Sequence, residues 1–317
     1  MGWNFVIDGR IKNSKIIYIY MQLWIILSTL FAVLQAVMVI LSKYIMKNLT
    51  SEATLTYMLL IQLIVVILYN TYKGYPVKFN VYSMVGGITF GIANLGLMMG
   101  VDKSTNPGLA DALMRLQVLF TTLFSVLFLN QKLTNKTIIG MVLAIIGAIM
   151  ITYTKKTDKN KKEGFKNIDK IPWYIFPLLG GILLSVKDVC GVAAVNNGME
   201  PATFVFSVSL FSSVALMLYN YSITHSFLPQ FKNNNNRVET IIELIIAGLS
   251  MTVAAYLITH AMPLAPNAGY SKSLSLLSVV LTTGYSVIFL KDKLTAQKLF
   301  GVISLIIGCI FVSLFGG

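Results

Sequence analysis

Five ionisable side chains interrupt long apolar runs of this 317-residue sequence: Asp111, Arg115, Lys187, Asp188 and Lys272. A charge at the centre of a membrane helix costs about 2.5–3.5 kcal/mol, so such residues normally face protein or water. The chemistry that this pattern favours is the binding of a polar solute in a cavity. Their net charge of +1 favours anionic or zwitterionic solutes over simple cations, and either carboxylate could serve a proton-coupled mechanism.

Other arrangements of these charges are compatible with the sequence. Asp111 and Arg115 are four residues apart and can pair on one helical face. Asp111 and Lys272 lie near predicted helix starts, where their charges could reach water by snorkelling or could lie at the mouth of a cavity. Asp188 could be a structural partner for a lysine on a neighbouring helix.

Neutral polar residues within the apolar runs complete the predicted lining, although each of them could instead form an interhelical hydrogen bond. The predicted substrate-binding residues are Arg115, Lys187, Asp188, Lys272, Asp111, Gln35, Asn94, Gln117 and Tyr256.

The composition predicts the elements that must position these residues. Hydrophobic residues make up 56% of the chain and charged residues 12%, against about 25% charged in soluble proteins. These values exclude a soluble enzyme, a disordered protein and a nucleic-acid binder, and they predict an all-α integral membrane protein in contact with the lipid bilayer. Its ten predicted transmembrane helices cover residues 18–41, 54–72, 81–101, 107–129, 137–153, 173–195, 202–221, 240–261, 266–290 and 298–315.

An internal repeat organises these helices. At an offset of 161 residues, 106–152 aligns without gaps on 267–313 with 19 identities in 47 pairs. Because each half has five helices, the second half must enter the membrane in the opposite orientation, which predicts two inverted five-helix repeats. The repeats are residues 1–153 and 173–317, joined by a Lys-rich linker at 154–172. The offset also pairs Asp111 with Lys272, and opposite charges at the two mouths would be one basis for directional gating.

Glycines recur at matching places in the two copies. Gly140 and Gly147 align with Gly301 and Gly308. Spaced glycines let helices approach closely, so we expect tight packing within each half or at the contact face of a homodimer.

The repeated segment resembles a known family. NPGLADALMRLQVLFTTLFSVLFLNQKLTNKTIIGMVLAIIGAIMITY and its partner from Asn267 are similar to the ten-helix EamA-type members of the drug/metabolite transporter superfamily. Three departures mark a divergent member: Gln131 and Asp292 stand where the family has Glu, and the usual mid-helix prolines of the fourth and ninth helices are absent. Lys272 stands about where nucleotide-sugar and triose-phosphate transporters carry a lysine.

The resulting prediction is a secondary transporter that moves a small polar metabolite by alternating access. The alternatives are a sugar-phosphate or nucleotide-sugar exchanger of an internal membrane, and a non-transporting membrane scaffold. Enzyme activity, a cofactor, a metal site and a nucleic-acid partner are not expected, since the motifs for them are missing. The location is the plasma (inner) membrane or an endomembrane.

Overall fold

The computed structural model describes residues 14–129, 135–152, 171–229, 231–232, 236–265, 268–291 and 294–315. These ranges contain twelve helical segments and no strand. The helices are α1 (Ser14–Ile45), α2 (Ser51–Lys73), α3 (Val81–Lys103), α4 (Pro107–Met114), α5 (Gln117–Leu129), α6 (Asn135–Thr152), α7 (Ile175–Asn196), α8 (Pro201–Thr224), α9 (Arg237–Leu264), α10 (Ala268–Leu274), α11 (Leu277–Ile288) and α12 (Ala296–Phe315). Most of the predicted linker, together with Gln131, Pro266 and Asp292, lies outside the described residues.

These segments are long and apolar, and such segments form helices in lipid because their backbone groups must be hydrogen-bonded internally. Capping side chains set several of the helix ends. Seven described segments are long and apolar enough to cross a membrane, and α6 and α12 contain shorter apolar runs. The Thr50 side chain caps α2 by accepting from the Ala53 amide at 3.1 Å. Asn106 accepts from the Gly108 amide at 2.8 Å, directly before the helix-starting Pro107. The chain is therefore a multi-pass integral membrane protein.

Two of the predicted helices are broken near their middle. The segments predicted as continuous over 107–129 and 266–290 each contain a two-residue interruption, at Arg115–Leu116 and at Ser275–Leu276. Hydrogen bonds there follow the tighter i to i−3 pattern, such as Val118 N to Arg115 O at 3.0 Å and Ser278 N to Ser275 O at 3.0 Å. No proline causes either break. In the second, the hydroxyl of Ser275 binds the Lys272 carbonyl oxygen and competes with the backbone for it.

The spaced glycines pack α6 directly against α12. A β-carbon added to Gly147 would lie 2.6 Å from the Gly301 carbonyl oxygen, and one added to Gly308 would lie 2.5 Å from the Gly140 carbonyl oxygen. The expectation of packing within each half or at a dimer face is therefore wrong for these glycines. Each glycine meets the non-aligned glycine of the opposite half, Gly147 with Gly301 and Gly308 with Gly140, which lets the two backbones touch.

Contacts between the two halves also dominate the rest of the bundle. Helix α3 packs on α7 and α8, and α9 packs in the same manner on α1 and α2. Gly87 and Gly248, which align in the repeat, occupy equivalent contacts, with Phe211 on α8 and with Ile61 on α2. This interleaving places the middles of α1, α3, α7 and α9 around one central space, next to the breaks between α4 and α5 and between α10 and α11.

Candidate functional site

A small cavity occupies the centre of the bundle. Its wall is formed by the middles of α1, α3, α7 and α9, by the end of α4 and the break that follows it, and by α10. Its volume of about 30 Å³ is enough for about two water molecules. A larger solute can enter only if the surrounding helices move apart.

Five of the nine predicted substrate-binding residues line this cavity, and they come from four helices and from the break that follows α4. Apolar side chains, mainly from α1, α3, α7 and α9, complete the wall. The five residues are Gln35, Asn94, Arg115, Lys187 and Lys272.

The other four predicted residues lie behind the wall or elsewhere. Asp111 and Asp188 are completely buried and hold the cations that line the cavity. Gln117 is buried beside the break in the first broken helix. The Tyr256 hydroxyl lies 3.2 Å from that of Tyr69 on α2.

The first ion pair joins Asp111 and Arg115 within α4 and its terminus. Arg115 Nη2 donates to Asp111 Oδ1 at 2.7 Å, and the Ser278 hydroxyl on α11 donates to Asp111 Oδ2 at 2.6 Å. The exposed fraction of Asp111 is 0% and that of Lys272 is 2%. The sequence-based alternative of snorkelling, or of charges at the two mouths, is therefore wrong, because both side chains end in the protein centre.

The second group is a carboxylate shared by two lysines. Asp188 Oδ2 lies 3.0 Å from Lys272 Nζ, and Asp188 Oδ1 lies 3.4 Å from Lys187 Nζ. The aspartate is thus the partner of a lysine on a neighbouring helix. One carboxylate between two ammonium groups leaves an excess positive charge, and Lys187 has the longer of the two contacts.

Two phenylalanines supply further contacts to these cations. The Phe31 ring centroid lies 5.3 Å from Lys272 Nζ and 5.9 Å from the Arg115 guanidinium carbon, while Lys187 Nζ lies 5.6 Å from the Phe90 centroid. These distances are within the range of cation–π attraction. Sequence reasoning missed both aromatics, since Phe residues on apolar helices carry no distinguishing signal.

Gln62 of α2 is a third residue that the sequence analysis missed. Its side chain is completely buried and lines a smaller cavity that adjoins the central one. The sequence alone could have identified it, because Gln62 is the one amide in the apolar run from Tyr57 to Tyr69.

Two polar stripes run from the helix breaks towards opposite faces of the bundle. On α11 the stripe is hydrogen-bonded: Thr282 donates to the Ser278 carbonyl at 2.6 Å and Ser286 to the Thr282 carbonyl at 2.8 Å. The aligned stripe on α5 is buried as well, but its side-chain polar atoms make no hydrogen bond to any described residue. It consists of Gln117, Thr121 and Ser125.

Polar contacts link the helix ends at the face at which α1 and α3 end, called face A here. Lys43 Nζ donates to the carbonyl oxygens of Val101, Asp102 and Ser104 at 2.8, 3.0 and 2.9 Å. The Tyr44 and Tyr285 hydroxyls lie 3.0 Å apart. These contacts join α1 to the ends of α3 and α11.

The cavity wall offers hydrogen-bond donors to a polar solute. Among the described residues, no group of three or more His, Cys, Asp or Glu could hold a metal ion. Arg115 Nε makes no hydrogen bond to any described residue and remains a donor at the cavity wall.

Comparisons with known proteins agree with this architecture. The sequence model of the EamA-like transporter family matches twice, over residues 22–153 and 171–314. A protein of known crystal structure superimposes with a TM-score of 0.59 over 94% of this chain and 97% of its own, at 15% sequence identity. At that identity the likeness concerns the fold alone. No curated protein matches the sequence.

Proposed function

Since the chain belongs to the EamA-like transporter family, we propose that it is a secondary transporter of a small, polar, anionic metabolite. The observation that carries this proposal is the positive charge of the side chains that line the cavity. All three charged side chains that line the cavity are cations, Arg115, Lys187 and Lys272, whereas both aspartates lie behind them. A negative solute would meet donors directly and would not be repelled by an exposed carboxylate.

Alternating access is the proposed mechanism, with two inverted five-helix halves moving against each other. Two features support it: both broken helices contribute to the cavity wall, and the Tyr44–Tyr285 contact joins the two halves at face A. Discontinuous helices at a central site are typical of inverted-repeat transporters. The phosphate-bearing solutes of the exchanger alternative belong to the same anionic class. For the membrane itself, we retain the plasma (inner) membrane or an endomembrane.

Ligand-induced stabilisation identifies the class of solute. The purified protein is heated with carboxylates, sugar phosphates, nucleotides, zwitterionic amino acids and polyamines, because a ligand of the folded state raises the melting temperature. We expect stabilisation by anions. A shift with polyamines alone would contradict the proposed sign of the site.

Lys187→Gln tests the site in transport. In reconstituted vesicles we expect uptake of the stabilising anion to fall by about tenfold or more, since a charge-assisted hydrogen bond contributes about 1.5–3 kcal/mol. The exposed Lys78→Gln is the matched control and should leave uptake unchanged. Equal uptake by Lys187→Gln and wild type would exclude this cavity as the transport site. Absence of uptake by folded wild type, together with a lower folding yield of the variant, would favour a scaffold.

A further inference from the structure

Gln62 is a buried amide without a hydrogen-bond partner among the described residues. It lies in the middle of α2, its exposed fraction is 0%, and neither Nε2 nor Oε1 makes a hydrogen bond to any described residue. A glutamine amide can donate two hydrogen bonds and accept two. Burying such a group unpaired costs about 1–3 kcal/mol. An apolar residue at this position would therefore give a more stable protein, unless the amide binds water or a ligand.

The cavity beside this amide adjoins the proposed transport site. Thr259, Phe204 and Gln62 line it, and it shares Phe90 and Lys187 with the wall of the central cavity. Lys187 therefore borders both spaces. A solute whose negative group binds this ammonium has the Gln62 amide within the adjoining compartment.

We propose that Gln62 is a specificity-determining residue that binds a neutral hydrogen-bonding group of the transported anion, an inference that rests on the proposed function. The compartment suits a carboxamide, which donates and accepts as Gln62 does. Phe90 and Phe204 supply apolar surface, against which a second charge would be left unpaired. The preferred solute is thus an anion at one end and a neutral amide or hydroxyl compound at the other.

The size of the compartment requires movement of its walls. Its volume of about 10 Å³ has room for about one water molecule. Water is accordingly the competing ligand of the Gln62 amide, and a solute that enters the compartment must displace it. A solute group that reproduces the hydrogen bonds of that water gains over one that does not.

A matched pair of acids tests the proposal on the purified full-length protein. Succinamate and 4-methylpentanoate share a carboxylate and nearly the same shape, but only succinamate ends in an amide. From ligand-dependent melting shifts, we expect wild type to bind succinamate about tenfold more tightly, which corresponds to one gained hydrogen bond. Gln62→Leu and Gln62→Met should both abolish this preference.

Asn70→Leu is the control variant, because Asn70 is a buried amide on the same helix that lines neither cavity. It should keep the preference for succinamate. Equal binding of the two acids by wild type, or a preference that survives in both Gln62 variants, would mean that the amide holds water only and would overturn the proposal. Binding of neither acid would count against the anion site itself, and so against the proposed function too.

Discussion

At the scale of single residues, Asp188 sets the charge of the cavity. Its carboxylate contacts Lys272 at 3.0 Å and Lys187 at 3.4 Å, and its side chain is fully buried. Removing one member of a buried ion pair leaves an uncompensated charge in a medium of low polarity. The aspartate therefore stabilises the fold, while Lys187 is left as the more available cation.

Asp188→Asn should lower the free energy of unfolding by about 3–5 kcal/mol, because two neighbouring ammonium groups lose their shared anion. The double variant Asp188→Asn/Lys272→Gln should lose less than the sum of the two single variants, with a coupling of about 1–3 kcal/mol. Unfolding in detergent micelles measures all three. Strictly additive losses would show that the 3.0 Å contact contributes nothing specific.

The sequence predicted which residues line the cavity better than it predicted which of them are paired behind its wall. The cost of a buried charge marks Arg115, Lys187 and Lys272 without any structure. Their separation from Asp111 and Asp188 depends on how neighbouring helices rotate against one another, and hydropathy carries no information on that rotation. Isolated amides such as Gln62 follow the same cost rule as Asn94 and were detectable in principle.

At the scale of helices, close contact between α6 and α12 depends on glycine. The aligned glycines of the two copies leave backbone against backbone, so each helix covers the other without side chains between them. The opposite surfaces of both helices carry exposed isoleucines, including Ile139 and Ile303, which suit lipid. The pair thus joins the halves at the edge of the bundle.

Gly147→Ala should destabilise the protein by about 1–3 kcal/mol, since the new methyl group would lie 2.5 Å from the Leu305 amide nitrogen and the backbones would have to separate. Gly284→Ala is the control, because no atom lies within 4 Å of an added β-carbon there. It should be neutral or stabilise by up to about 1 kcal/mol through helix propensity. Equal effects in thermal unfolding would contradict the described helix contact.

Hydropathy predicts the number and the positions of the apolar helices. It does not predict that two of them are broken. Apolar runs gave most helix ends within a few residues, because an exposed backbone cannot be tolerated in lipid. The breaks at Arg115–Leu116 and Ser275–Leu276 contain no proline or glycine. They depend on polar side chains and tertiary contacts such as Ser278 with Asp111, which a single-residue scale cannot register.

At the scale of the whole molecule, the polar stripes on α5 and α11 differ in hydrogen bonding. The stripe on α11 leads towards face A and its hydroxyls are satisfied within the helix, whereas the side chains of the equivalent stripe on α5 make no hydrogen bond to any described residue. Buried polar groups without protein partners are normally satisfied by water. In the described conformation, we therefore expect solute to leave the centre along α5 rather than towards face A.

Single cysteines placed at Thr121 and Ser125 should react with charged thiol reagents about tenfold faster than cysteines at Thr282 and Ser286, a difference of about 1.4 kcal/mol in opening. The background replaces the two native cysteines with alanine, and labelling of detergent-solubilised protein is followed by mass spectrometry. An anionic reagent should outpace a cationic one at the α5 positions, because the cavity behind them is lined by cations. Faster labelling on α11 would reverse the assignment of the open route.

The grouping of the five charges also bears on how the chain enters the membrane during synthesis. Asp111 and Arg115 enter the bilayer on consecutive turns of one segment, and Lys187 and Asp188 enter side by side on α7. Each of these segments inserts with no net charge, which reduces the cost of passing from translocon to lipid. Lys272 alone arrives on a segment without its own counter-ion. Because α7 is synthesised and inserted earlier, Asp188 is already in the membrane and can pair with Lys272.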